Sequence, residues 1–375
     1  MATFDISALT RTERSAYSLR DLYRRYGYSQ YKMSKFEEYD LYVRNKSFLL
    51  SDHIITFTDH AGNLMALKPD VTLSIVKNTD VASGLVQKVY YNENVYRVPK
   101  GDQSYKEITQ VGLECLGDVD ICCVGEVLSL AAMSLETISE EFVLDISHLG
   151  IVSAFLDALG LGDEQRAKLV GCIGERNLHD IRAICREGGV DAEKEEQLCR
   201  LVSTYGQADR VLDTLDALVS ASGCGSDALS ELRAVVTSIG DIVPSSRIVI
   251  DFSVISNMSY YNGIVFRGFV RGIPTSVLSG GQYDLLLSRM GKSGGAVGFA
   301  VYLDSLEELD EARPAYDVDT VLLYGEETDP VQLLSAVRGM TADGTSVLTA
   351  RLLPANMTYR RVLCVGKEGV TEYEA

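Results

Sequence analysis

The 375-residue chain sets 53 acidic against 35 basic side chains, a net charge of −18, with 46% hydrophobic and 23% charged residues. That apolar content excludes a disordered chain, and the length leaves room for two or three domains with cores of their own. The acidic balance counts against an extended nucleic-acid footprint, because phosphates are neutralised by Lys and Arg.

Met1 to Asp5 carry neither the basic nor the apolar stretch of a secretory signal, so a cytoplasmic chain is expected. Leu19, Leu22, Tyr23 and Tyr26 recur at helical spacing with arginines between them, and Gly27 is a natural stop. Tyr28 to Tyr31 alternates like a strand. From Ser51 to Thr79 the expected order is strand, turn at Ala61-Gly62-Asn63, strand, and a helix opened by Pro69 that runs through Val76. Val86 to Val98 and Ile108 to Leu116 are β-rich runs around a loop at Pro99-Lys100-Gly101-Asp102. A helix follows over 124–140. Its richest apolar run, Val127 to Leu135, is broken by Ser129 and Ser134 and falls short of the ~18 residues of a membrane span, so no membrane partner is expected. Glu141 to Ile146 read as a strand.

Residues 150–243 show no strand signal and many Leu and Ala at helical spacing, which predicts a helical insert. Strand patterns return at Arg247 to Phe252, Tyr260 to Val270, Thr275 to Gly281 and Val297 to Leu303. After Arg313-Pro314 comes a short α/β-like tail with strands at Thr320 to Tyr324 and Arg361 to Val365 around a helix at Val331 to Met340. The expected organisation is a core over 1–313, interrupted by the 150–243 insert, and a module over 314–375. Strands joined by turns, with helices set apart, favour an α+β fold with an antiparallel sheet over a doubly wound parallel one. Eight cysteines without a C-x-x-C pair and four scattered histidines predict no metal site and mostly reduced core thiols. Gly291-Lys292-Ser293 resembles the end of a phosphate loop. The motif needs a glycine where Leu286 stands, so this stretch reads as a Gly-rich approach to a strand.

Three segments carry chemistry. In Lys68-Pro69-Asp70-Val71-Thr72 an acid and a hydroxyl lie two apart at a helix start, where negative charge is favoured. Alone, Asp70 reads first as a capping acid. In Ile108 to Glu114, period-2 alternation puts Gln110, Gly112 and Glu114 on one strand face and Val111 and Leu113 on the other, a floor for a small ligand or a plain solvent-facing edge. In Tyr260-Tyr261-Asn262-Gly263 the adjacent tyrosines are expected to point to opposite faces, one into the core and one into a cavity, and Gly280-Gly281 lets backbone approach closely.

These segments, with Tyr26-Gly27-Tyr28, Arg97, Gln282-Tyr283-Asp284 and Ala296-Val297-Gly298-Phe299-Ala300, occur in the order found in histidyl-tRNA synthetases. The resemblance spans about 15–310 and includes a helical insert at the same place. It implies the class II synthetase fold, usually a homodimer. By resemblance Asp70 stands where an acid receives the ligand ammonium, with Thr72 and Gln110 alongside, and Glu114 and Tyr261, beside Tyr260, stand where the imidazole is contacted. Arg97 is a candidate phosphate contact.

The departures concern activation. Ser256 stands where the family has an Arg, and Tyr302-Leu303-Asp304-Ser305-Leu306 replaces Gly-Leu-Glu-Arg-Leu, so a second Arg is absent. Ile108 replaces an adenine-stacking aromatic, and Arg97 is what survives of the cationic set. Losing one preorganised donor can cost about 2.7–4 kcal/mol, so adenylation is not expected and no cofactor is implied. A kept histidine pocket, with Asp at position 70 and a short acidic tail, resembles the paralogous regulatory-subunit family of ATP phosphoribosyltransferase. That resemblance implies a non-catalytic partner of the short-form catalytic subunit in a hetero-octamer, with histidine as effector. The alternative reading is a divergent synthetase or an amino-acid-activating ligase.

Overall fold

The computed structural model describes the chain except residues 1–8, 47–53, 81–82, 99–103, 256–257, 259, 310–315, 343, 367–368 and 374–375. The Pro99–Asp102 loop, Ser256 and the Arg313-Pro314 boundary lie outside the described residues. The chain divides into two compact units, Met1–Leu309 and Asp310–Ala375.

In the first unit, Thr10 and Glu13 form a reciprocal capping box that starts α1 (Arg11–Arg25), whose Leu19 and Tyr23 turn inward. After β1 (Ser29–Gln30) comes a small sheet of β2 (Phe36–Glu38), β3 (Thr56–Thr58) and β4 (Leu64–Leu67), with α2 (Tyr39–Arg44) between the first two. α3 (Thr72–Asn78) opens at Thr72 rather than at Pro69. The Pro69 carbonyl is drawn off by Arg97 Nε at 2.6 Å, and Asp70 Oδ1 takes the Leu73 N–H at 2.9 Å.

β5 (Val86–Arg97) and β6 (Lys106–Gly117) pair along their whole lengths, from Val86 opposite Gly117 to Arg97 opposite Lys106. α4 (Ile121–Ile138) leads to β7 (Phe142–His148). Then follow α5 (Leu149–Ala158), α6 (Asp163–Gly174), α7 (Leu178–Glu187), α8 (Ala192–Ser203), β8 (Tyr205–Gln207), α9 (Ala208–Ser222) and α10 (Ser226–Ile239). β9 (Ile248–Asp251), β10 (Ile264–Val270), β11 (Leu278–Gln282), α11 (Asp284–Arg289) and β12 (Gly295–Tyr302) complete the unit.

Nine strands form one sheet in the order β1-β5-β6-β12-β11-β10-β7-β9-β8. All neighbours are antiparallel except β1/β5 and β7/β9. β8 corrects the expectation of an all-helical 150–243: Tyr205–Gln207 pairs with β9, and three residues around a positive-φ Gly206 are too few to show a period. The inserted helices are not set apart either. Leu169, Leu198, Leu215 and Leu232 share one core with Leu113, Leu128 and Phe299. A second core, including Val76, Tyr91, Leu116 and Leu286, lies on the opposite face of β5 and β6.

At 18 residues and mean hydropathy 1.6, α4 is long and apolar enough to cross a membrane, which counting consecutive apolar residues misses. It is the core helix of this unit, 61% buried. Its buried Ser129 and Ser134 donate back to Gly125 O and Leu130 O, so neither hydroxyl is left unpaired.

The second unit orders β14 (Val347–Ala350), β13 (Val318–Leu323), β15 (Tyr359–Gly366) and β16 (Gly369–Glu372) in a sheet, with α12 (Pro330–Ala342) between β13 and β14 in sequence. Its small core is built on Val318, Val321 and Leu323. β14 and β16, four residues each, are additions to the expected tail.

Candidate ligand-binding site

A cavity of about 390 Å³ lies on the sheet face formed by β6, β12, β11 and β10, under α3 and the 260–263 turn. Asp70, Thr72, Arg97, Gln110, Glu114, Tyr260 and Tyr261, all singled out from sequence, line it together. The alternation read in β6 sets the floor: Gln110 and Glu114 face the cavity, and Val111 and Leu113 enter the first core.

Glu114, 2% exposed, is the deepest charge-bearing group of the site. Its Oε1 accepts from Thr72 Oγ1 at 2.8 Å and its Oε2 from Tyr283 OH at 2.6 Å. Burial pushes its carboxyl up to about 8; the two hydroxyls oppose the rise, and the Asp70 charge adds to it. Each carboxylate oxygen retains acceptor capacity for one further donor. The capping reading of Asp70 holds, and the same side chain also borders the cavity. It caps α3 through Leu73 N, with Arg97 Nη2 3.7 Å from its Oδ2. Burial raises its carboxyl, and Arg97 works against the rise. That separation is a loose ion pair, and it leaves guanidinium N–H groups for an incoming anion. Among the described residues no cluster of three or more His, Cys, Asp or Glu could hold a metal.

The tyrosine pair departs from expectation only in part, since Tyr260 is buried in the second core as expected of one ring. Tyr260 and Tyr261 both line the cavity, their rings edge to face at 4.5 Å. They lie in a turn outside β10, where strand alternation does not operate. That turn is pinned by reciprocal bonds: Asn262 Nδ2 donates to Asp284 Oδ2, Asp284 N donates to Asn262 Oδ1, both at 2.9 Å, and Ile264 N donates to Gln282 Oε1 at 2.6 Å. The Asn-Gly and Gln-Tyr-Asp motifs are therefore two halves of one clasp. Tyr283, quoted from sequence only as part of a motif, is a site residue through Glu114.

A family model for histidyl-tRNA synthetase matches residues 5–306. The ATP phosphoribosyltransferase regulatory subunit of Halalkalibacterium halodurans is 30% identical over 361 residues, covering 92% of this chain and 89% of that protein. The chain belongs to the ATP phosphoribosyltransferase regulatory subunit family. Among solved structures, an ATP phosphoribosyltransferase regulatory subunit/histidyl-tRNA synthetase from Bacillus halodurans has a TM-score of 0.77 at 25% identity, covering 94% of this chain and 93% of that one. The ATP phosphoribosyl transferase (HisG:HisZ) complex from Thermotoga maritima shares the fold, with a TM-score of 0.62 at 19% identity over 78% of this chain and 97% of that one.

In this regulatory subunit the cations near the cavity differ from the sequence reading. Arg97 is joined by Arg267 of β10, whose partner in register on β7 is Asp145. Burial and Asp251 raise the Asp145 carboxyl to about 6, while Arg176 and Arg267 pull it down. A lone Arg in a β-run gives no sign of this, because its acid sits on a strand distant in sequence. Ser305 lies in the 3-10 turn Leu303–Leu309, outside the cavity lining, and Ile108 packs against the second core.

Proposed function

We propose that the cavity holds free L-histidine and that its occupancy sets the activity of a catalytic ATP phosphoribosyltransferase subunit assembled with this chain. The observation that carries the reading is the polar layout: an acid with a loosely paired guanidinium, Asp70 and Arg97, and a second acid, Glu114, held deep by two hydroxyls. A zwitterion with an imidazole needs this set. Its ammonium goes to Asp70, its carboxylate to Arg97, and its ring N–H to Glu114 under Tyr261. Inhibition then requires histidine to bind the two states of the complex unequally, by about 1–3 kcal/mol.

The chain itself is non-catalytic in this reading, because Ser256 and Ser305 supply no cation for the charge that develops on a transferring phosphate. Homodimers of the chain assemble in the cytoplasm with short-form catalytic subunits into a hetero-octamer, as the family resemblance implies.

The deciding measurement is phosphoribosyl-ATP formation by a short-form catalytic subunit, with and without this chain, across a histidine titration. Activity that depends on the chain and falls with histidine is expected. No effect of the chain with a catalytic subunit from the same source rejects the reading, and histidine-dependent exchange of pyrophosphate into ATP by the chain alone rejects the non-catalytic part. In the complex, Glu114→Ala should weaken histidine inhibition at least fivefold, in line with ~1–3 kcal/mol for leaving a buried hydrogen-bond partner unsatisfied, while assembly by size exclusion persists.

A further inference from the structure

Residues paired across neighbouring strands point to the same sheet face, so the cavity floor is laid out in rows. The first row is Glu114, Gly298, Gly281 and Val265; the second is Gly112, Ala300, Ser279 and Arg267; the third holds Gln110 and Tyr302. In the first row the glycines let neighbouring side chains lie flat on the sheet. A Cβ on Gly298 would sit 1.7 Å from Glu114 Oε2, and one on Gly281 would sit 2.9 Å from Tyr261 Cδ1. Along β12 the side chain then grows from glycine through alanine to tyrosine over four residues, roughly 13 Å at ~3.3 Å per residue. The floor is a ramp. Its high end is braced, because Tyr302 OH and Ser279 Oγ share a 2.7 Å hydrogen bond that ties the ring across Ala300.

The direction of the ramp follows from β5 and β6. Tyr302 pairs with Gln110, and Arg97 lies further along the same way, opposite Lys106. The Arg97 guanidinium is turned to Pro69 O and Asp70, so the bulky end is the side from which Arg97 reaches in to meet a ligand's carboxylate. Tyr302 also stands where the synthetase motif Gly-Leu-Glu-Arg-Leu begins with glycine.

We infer that Tyr302 is the length gauge of the cavity: it closes the space beyond the ligand's carboxylate, admitting a free amino acid and excluding one extended there by a nucleoside. The inference rests on the histidine reading above and is separable from it. The test is isothermal titration of the full chain with L-histidine and with histidine joined through its carboxyl to adenosine by a sulfamoyl linkage. The wild type should bind the conjugate at least 100-fold more weakly than histidine. Tyr302→Gly should close that gap to within tenfold, and Tyr302→Phe should keep it, because ring bulk rather than the hydroxyl decides. A wild type that binds both within tenfold overturns the gauge, as does a Tyr302→Gly chain that binds histidine and still excludes the conjugate. A wild type that binds neither ligand rejects the histidine reading, and the gauge with it.

Discussion

Glu114 shows how one buried carboxyl ties the site to the stability of the unit. With its carboxyl raised to about 8 by burial, the folded chain holds a proton that the unfolded chain releases near 4.5. Between those values the native state binds more protons than the unfolded state, so unfolding free energy falls as pH rises, and the loss is complete above about pH 8. At ~1.36 kcal/mol per unit, the full effect is on the order of a few kcal/mol. Urea midpoints of the free chain should therefore drop from pH 5.5 to 8.5 more steeply in the wild type than in Glu114→Gln; parallel curves would place the proton elsewhere. Much of this residue's role is legible from sequence, since alternation alone puts Glu114 and Gln110 on one face. Its partners are not, because Thr72 and Tyr283 are brought to it by α3 and by the end of β11. Thr72 lines the cavity with Asp70 and donates its hydroxyl proton to Glu114, keeping its oxygen as an acceptor.

Elements succeed or fail as readings according to whether they are long enough to show a period. The twelve-residue strands β5 and β6 announce themselves, and the two cores on their opposite faces follow from the alternation. β8, β14 and β16 are three or four residues long and leave no such trace. The 260–263 turn misleads because two tyrosines between strand-like runs look like part of a strand. Gly298→Ala places a methyl against the Glu114 carboxylate and 2.5 Å from Leu113 O, both fixed by burial. It should cost about 1–3 kcal/mol in chemical denaturation, typical of overpacking, and abolish histidine binding by calorimetry. A variant as stable as the wild type would show that β12 can shift away from β6.

The two units have separate cores, and the residues lining the cavity run from Asp70 to Tyr302, inside the first. Removing residues 310–375 should leave histidine affinity within twofold of the full chain by calorimetry, and a larger loss would show that the second unit supports the site. The helical segment 149–239 cannot be trimmed in the same way, since its leucines belong to the core under the sheet. β12 is the last strand of its unit to be synthesised, yet it lies between β6 and β11, in the middle of the sheet. A chain still on the ribosome before Tyr302 has emerged has two half-sheets and no floor between them. A ligand that binds only the finished cavity stabilises by RT ln(1 + [L]/Kd), about 2.7 kcal/mol at a hundredfold excess. Nascent chains gain none of it, so any ligand of the finished cavity would protect completed chains and leave unfinished ones unprotected.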